Sequence, residues 1–334
     1  MKKSLILSFL LCLLACVGCV RRPFVENRTE INLSLKIQMS VEHEMNIPEP
    51  ELVRVCLCDP ETGKIEYEDY LGPHGGYIYP KPGIYDIMVY NINTESTIVK
   101  NENNLFTAEA TTGEISKFLK SQLKRFLTAR QVAKRKAELK DTTGTDSDTK
   151  VPLEKIVNEP DHVFVGKKDN IEIPTLQAGE SRDLVIQMDA TSIVEVWKVR
   201  MTDVKGTEYI SQVSALMTGM VESKMMYSGK ISDNAVTIYF EMKVGEDKKS
   251  LEATFRTFGK NPLFENLLEL DLNVTDTGGE EHYHHFDVTD QFDENKDHLI
   301  IVDEPVEIEK PQTGGGGFAP EVDDWEDVNT DIII

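Results

Sequence analysis

Short runs of alternating apolar and polar residues, separated by Gly- and Pro-containing turns, recur along this chain and restrict it to strand-built folds. Ile31, Leu33, Leu35 and Ile37 alternate with Asn32, Ser34, Lys36 and Gln38, the pattern of a strand with one buried face. Leu52 to Cys58 reads as a second strand. Asp59-Pro60-Glu61-Thr62-Gly63 then supplies turn chemistry before Lys64 to Tyr70. Gly75 to Tyr79 and Gly83 to Tyr90 continue the series around Pro80 and Pro82, and strand-like runs return at His162–Val165 and Arg182–Met188. A second series comprises Ile193–Met201, Tyr209–Met217, Ala235–Val244, Leu251–Phe258, Leu267–Val274, His282–Val288 and His298–Val302. About seven strands per series is the strand number of a β-sandwich. The chain has 334 residues, more than one compact core needs. The pattern therefore predicts an all-β protein with two tandem β-sandwich domains, over 29–188 and 189–308.

One segment breaks the period. Between Glu114 and Lys140, Ile115, Phe118, Leu119, Leu123, Phe126, Leu127, Ala133 and Ala137 follow a helical repeat, predicting an amphipathic helical insertion. It carries nine basic residues against Glu114 and Glu138, in a chain of net charge −22. Three placements are open: on an anionic lipid surface, against the first sandwich, or as a mobile insertion. Residues 141–150 read as a polar loop. The overall acidity excludes general nucleic-acid binding, because a phosphate backbone would be repelled.

The N-terminus predicts the address. Lys2 and Lys3 precede an apolar run from Leu5 to Val17, too short to span a bilayer as a helix and fitting a secretory signal over residues 1–18. An apolar run ending in a small residue and cysteine is the lipoprotein processing pattern. Cys19, after Val17-Gly18, is the favoured lipidation site and Cys16, after Leu13-Leu14-Ala15, the alternative. Acyl chains would hold the protein on a lipid bilayer through more than one anchor, with residues 19–28 as the tether. Cleavage before Cys19 leaves a mature charge of −24. At the other end, 309–334 form a Gly-rich acidic tail. Residues 318–334 contain six acids and no base, and finish in Asp331, Ile332, Ile333 and Ile334. Those four residues read as an apolar strand without a home in either series, a candidate for addition to an exposed sheet edge, in cis or on a partner.

Candidate chemical sites are few. Cys56 and Cys58 lie two apart on one strand face and read as buried thiols, since extended i,i+2 side chains stand near the limit of disulfide reach. His282 and His284 share a strand face at a spacing that suits zinc, yet they follow Glu280-Glu281 in a hairpin opened by Gly278-Gly279, where polar residues are expected anyway. Asp293, Asn295, Asp297 and Glu304 match positions of a calcium-loop template, but His298 stands where its sharp-turn glycine belongs. Neither group is assigned a metal, and no cofactor is called for. Met217, Met220, Met225 and Met226 read as core filling. Tyr67, Tyr70, Tyr77 and Tyr79 could form an aromatic platform for a glycan. There is no G-x-S-x-G, H-E-x-x-H, Walker or G-x-G-x-x-G motif, and the chain is read as a non-enzyme.

Several stretches in order resemble fimbrillin-type, fimbrial anchor-like outer-membrane lipoproteins of Bacteroidetes. They are Cys19-Val20-Arg21-Arg22-Pro23 after the signal, Gly83 to Asn91 (GIYDIMVYN), Leu251 to Gly259 (LEATFRTFG), Phe286 to Gln291 (FDVTDQ) and the tail from Gly315 to Ile334. The resemblance implies two transthyretin-like, Greek-key sandwiches, outer-membrane lipid anchoring, and contacts with fimbrial subunits or other envelope proteins. It carries over no catalytic residue. The basic helical insertion and Arg21-Arg22 depart from that group, and the side of the membrane stays open. Asp141-Thr142-Thr143 also resembles the acidic-Thr pattern on which such proteins are O-glycosylated, making Thr142 a candidate. If Cys19 is the lipidated residue, Cys19→Ser should abolish metabolic palmitate labelling while Cys16→Ser leaves it intact. The reverse result would assign Cys16.

Overall fold

The computed structural model describes residues 28–38, 44, 47–128, 130, 155–176, 184–262, 268–292 and 297–311. The first half supplies β1 (Ile31–Ile37), β2 (Val53–Cys58), β3 (Ile65–Leu71), β4 (Gly75–Ile78), β5 (Gly83–Asn91), β6 (Thr97–Lys100), β7 (Glu109–Thr112), β8 (Ile156–Asn158), β9 (Phe164–Ile173) and β10 (Leu184–Ser192). The second supplies β11 (Glu195–Met201), β12 (Val204–Lys205), β13 (Ile210–Val221), β14 (Ser223–Met225), β15 (Ala235–Val244), β16 (Leu251–Thr257), β17 (Glu269–Asp276), β18 (Glu281–Asp287), β19 (Leu299–Val302) and β20 (Val306–Glu307). The protein is all-β, and most long strands lie where the sequence runs place them; β9 extends eight residues past the expected His162–Val165, to Ile173, and β10 runs four past Met188, to Ser192.

Seven strands form one sheet in the order β3-β2-β5-β9-β10-β1-β4. Its β9–β10 pairing spans only Phe164–Gly166 with Ala190–Ser192, so the sheet folds there into two layers. Ile31, Leu33, Val53, Val55, Leu57, Ile87, Val89 and Met188 fill the space between them. The second sheet runs β18-β17-β13-β15-β16-β11-β19 and bends likewise, because β15 and β16 share only Lys243–Glu252 and Val244–Leu251. Phe240 stacks on Phe255 across this core with ring centroids 5.0 Å apart.

The two series are joined by short strands that alternation does not reveal. β8 lies in the first half of the chain yet adds in parallel to β15 of the second sheet. β14, from the second half, pairs with β7, and β7 with β6. A further cluster over the outer face of β2 and β5 combines Cys56, Cys58, Met88 and Tyr90 with Ala110, Val221, Met226 and Phe258.

The described part of the basic segment is helical as expected. α1 (Lys117–Gln122) is N-capped by Ser116, whose hydroxyl accepts from the Leu119 N–H, and helix continues over 124–128. Among the described residues, its apolar stripe packs on the second sheet. Leu123 and Phe126 bury against Ile115, Ile156 and Leu216 on the outer face of the second sheet, beside Tyr239 and Tyr283. Of the three placements left open, packing on a sheet holds for the described part, but on the second sheet and not the first, because the outward side chains of β13, β15 and β18 supply the matching apolar floor. A buried charge pins it: the Arg130 Nε donates to Asp271 Oδ2 at 2.5 Å, with the Asp271 side chain fully withdrawn from water. Asp271 also accepts from the Tyr283 hydroxyl at 2.5 Å and pairs with His285 Nδ1 at 2.8 Å. Residues 131–150 lie outside the described residues.

Burial alone would raise the Asp271 pKa, but the His285, Arg130 and Tyr283 contacts together outweigh it and hold the carboxyl below its usual range. A carboxylate depressed in the fold stabilises it above the unfolded-state value and loses that contribution as pH falls through the folded-state one. Asp271→Asn, leaving Arg130 facing a neutral group, should cost about 3 kcal/mol at pH 7. In denaturant titrations the gap from wild type should narrow as pH falls below the ordinary carboxylate range, where the unfolded chain takes up a proton before the native carboxylate does.

Candidate interaction site

The first sheet nearly closes on itself. β3 and β4, its two edges, meet across a tight turn in which the Gly75 N–H donates to the Gly72 carbonyl at 3.0 Å. Gly75 is required there: its φ is +95°, and a Cβ would sit 1.9 Å from the Leu33 carbonyl oxygen. Away from this turn the two edges part. At Tyr67 the link across the gap is a side chain, the Tyr67 hydroxyl accepting from the Tyr79 N–H at 3.0 Å while donating to Asp69 at 2.7 Å. Beyond it the seam opens into a concavity of about 450 Å³ lined by Arg28, Lys64, Ile65, Glu66, Tyr67, Tyr79, Lys81 and Tyr85. Among the described residues, β3 has no strand partner beyond β2.

The chemistry of this seam is cationic and hydrogen-bonding. Three basic side chains face one acid in its wall. Burial raises the Tyr67 and Tyr85 hydroxyls above their ordinary pKa, and Glu30 does the same for Tyr79, so all three remain neutral at pH 7. The Tyr85 hydroxyl donates to the Lys81 carbonyl. Of the four tyrosines read as an aromatic platform, the structure brings Tyr67 and Tyr79 together in the concavity. Tyr70 and Tyr77 are exposed outside it. Arg28, Lys64 and Lys81 carried no sequence signal, and Tyr85 only that of a strand, since closure of the sheet is what assembles them.

The remaining candidates separate. Cys56 and Cys58 are buried free thiols in one cluster, as their shared strand face requires. Burial pushes Cys56 up to about 11 and Cys58 up to about 12. His282 converges with Asp276 and Glu280, and His285 with Glu269 and Asp271, while His284 belongs to neither group. The pairing of His282 with His284 suggested by their spacing is therefore replaced by contacts through the β17–β18 hairpin. Asp276 Oδ1 accepts from the Gly278 and Glu280 N–H groups there, closing the turn, and His285 meets a carboxylate already occupied by Arg130. The His284 Nε2 is buried without a partner among the described residues, and burial lowers its pKa.

At the calcium-loop positions, Asp297 and Glu304 are exposed, and Asp293 and Asn295 lie outside the described residues. His298 does take the left-handed conformation of the missing glycine, with φ +44°, but its ring stacks on Trp197 at 4.5 Å. Met217 and Met220 fill the second core and Met226 the cluster over β2. Cys16, Cys19, Thr142 and Asp331 to Ile334 also lie outside the described residues.

The fold is a double-layered all-β architecture whose first sheet leaves an open seam. The chain belongs to the family described as a domain of unknown function, DUF5119, whose model matches residues 18–241. A curated relative from Bacteroides ovatus, named as fimbrium anchoring subunit Fim4B, is 26% identical over 239 residues, covering 71% of this chain. The match spans 60% of that relative's length. A solved structure of a Bacteroides ovatus protein described as an adhesin shares the fold at a TM-score of 0.56 and 23% identity, covering 89% of this chain and 98% of that one. The fimbrial anchor protein Mfa2 of Porphyromonas gingivalis aligns at a TM-score of 0.44 and 14% identity, over 82% of this chain and 88% of its own. The curated relative named as a fimbrium anchoring subunit bears out the resemblance to fimbrial anchor-like proteins read from the sequence.

With pKa values near 11 and 12, on the order of one in a thousand or fewer of the Cys56 and Cys58 thiols is ionised at pH 8. Neither should react with a soluble disulfide reagent in the native protein, and both should react at once in denaturant.

Proposed function

We propose that this chain is a lipid-anchored component of the outer membrane that holds or caps a fimbrium through strand addition. The observation that carries the reading is the seam. An edge strand flanked by a gap offers unpaired main-chain groups to an incoming strand, and the adjacent concavity offers pockets for alternate side chains. The relative named as a fimbrium anchoring subunit supports fimbrial subunits as the partners. Acylation at Cys19, or at Cys16, would supply the membrane attachment, and Asp331 to Ile334 would supply a strand for donation in turn. The two sandwiches, 29–188 and 189–308, act in this reading as a rigid spacer between bilayer and fimbrium.

A second reading rests on the composition of the same concavity. Three tyrosines and three cations in about 450 Å³ suit an anionic saccharide. A glycan array against the soluble mature chain separates the two, since this reading requires acidic glycans to bind and Lys64→Glu to remove them.

The fimbrial reading is tested by co-purification of fimbrial subunits from native envelopes. Lys64→Glu with Lys81→Glu should lower capture at least tenfold. Removal of residues 321–334 should abolish the chain's own donation to a partner while leaving its thermal unfolding unchanged. Undiminished capture in both variants would sink the proposal.

A further inference from the structure

The helix docked on the second sheet buries one face and presents another that nothing in the described structure covers. Lys117, Phe118, Lys124 and Arg125 are all exposed, Phe118 at 72% of its surface and the Arg125 side chain at 81%. An apolar ring among three cations is an unusual outward face for a protein of net charge −22.

The end of the described chain lies beside this face. Pro311 packs on Gly278 in the β17–β18 hairpin, so closely that a Cβ on that glycine would stand 2.9 Å from the proline Cβ. Three residues further along the same hairpin, Glu281 meets Arg125 of the helix at 3.7 Å. Everything after Pro311 thus departs within about 20 Å of the Arg125 guanidinium. The segment that departs is Gln312-Thr313, four glycines, and then a stretch with six acids and no base that places Trp325 among Asp323, Asp324, Glu326 and Asp327.

We propose that the acidic segment Glu321 to Asp327 docks in cis on the exposed face of this helix, its carboxylates against Lys117, Lys124 and Arg125 and its Trp325 on Phe118. Nine residues, 312–320, connect the exit point to the first acid and reach about 30 Å. The helix from Lys117 to Arg125 is about 12 Å long, so the whole face is in range. A short flexible link keeps the segment at a millimolar local concentration, enough for weak surface ion pairs to act together. Docking would partly neutralise the basic face and cover Phe118, leaving Ile332 to Ile334 beyond the docked stretch. The contact is independent of strand addition and stands whether or not the tail is donated to a partner.

Zero-length carbodiimide crosslinking of the full mature chain, read by peptide mass spectrometry, tests it. Crosslinks within one chain should join Lys117 and Lys124 to acids between Glu321 and Asp327. Their yield should drop at least fivefold in 1 M salt, where the screening length is about 3 Å. Arg125→Glu, which removes no crosslinkable amine, should lower the same yields at least threefold while leaving the unfolding temperature unchanged. Three results would overturn the proposal. In one, the helix lysines crosslink to the tail no more than exposed Lys168 does. In another, the crosslinks appear only between chains, making a second copy's tail the occupant. In the third, the full chain floats with phosphatidylglycerol vesicles and Arg125→Glu abolishes flotation, which gives the face to a bilayer.

Discussion

Val53, Val55 and Leu57 on one face of β2, and Cys56 and Cys58 on the other, are all withdrawn from water, so this strand is dry on both sides. A strand in that position needs cover from two directions, and the fold is arranged around supplying it. The first-sheet core covers one face. The short β6-β7-β14 sheet covers the other, with Val221, Met226 and Phe258 from the second half of the chain. Arg54 is the polar exception on the outer face. Its guanidinium is satisfied by the Tyr90 hydroxyl at 2.7 Å and by Glu68 and Glu102, which makes its burial tolerable. Because the cover comes from both series, the two halves of the chain are coupled through one strand.

That coupling explains where openness is left. With the faces of β2 and β5 covered and the central strands laddered, unpaired main-chain groups collect at the sheet edges. The β3–β4 seam differs from a plain edge because two edges approach each other and then part, giving main-chain groups and a side-chain pocket in one place. The cationic lining gives such a site a charge preference, a feature a bare edge lacks. On the second sheet, the Arg130–Asp271 contact fixes a basic helix to an acidic protein at the cost of burying two charges. The Tyr283 and His285 contacts to the same carboxylate offset that cost.

The long strands were legible because each has one or two faces committed to a core, and burial writes a period of two into the residues. β2 itself reads as a nearly continuous apolar run, VRVCLC, for the same reason. The short strands β6, β7, β8 and β14 have three or four residues each, too few for a period, and their pairing is decided by what lies across from them in space. The helix was visible from its stripe, but a stripe states only that a partner exists. The second sheet, and not the first, supplies the matching floor. Arg130 could have been noticed as a charge lying on the buried side of that stripe, in line with Leu123, Phe126 and Leu127. The seam had no local signature. Lys64 and Lys81 are ordinary surface residues and Tyr85 a core residue until the sheet curls far enough to bring them together, and sequence alternation says nothing about curl.

The central claim is that a partner strand adds at the β3 side of the seam. Amide hydrogen exchange across β3 in the free protein and in its complex with a fimbrial subunit reads this directly. Outward-facing β3 amides between Ile65 and Leu71 should exchange fast in the free protein and be strongly protected in the complex. Binding that leaves β3 exchange unchanged, or that protects β18 or β19 instead, would contradict it.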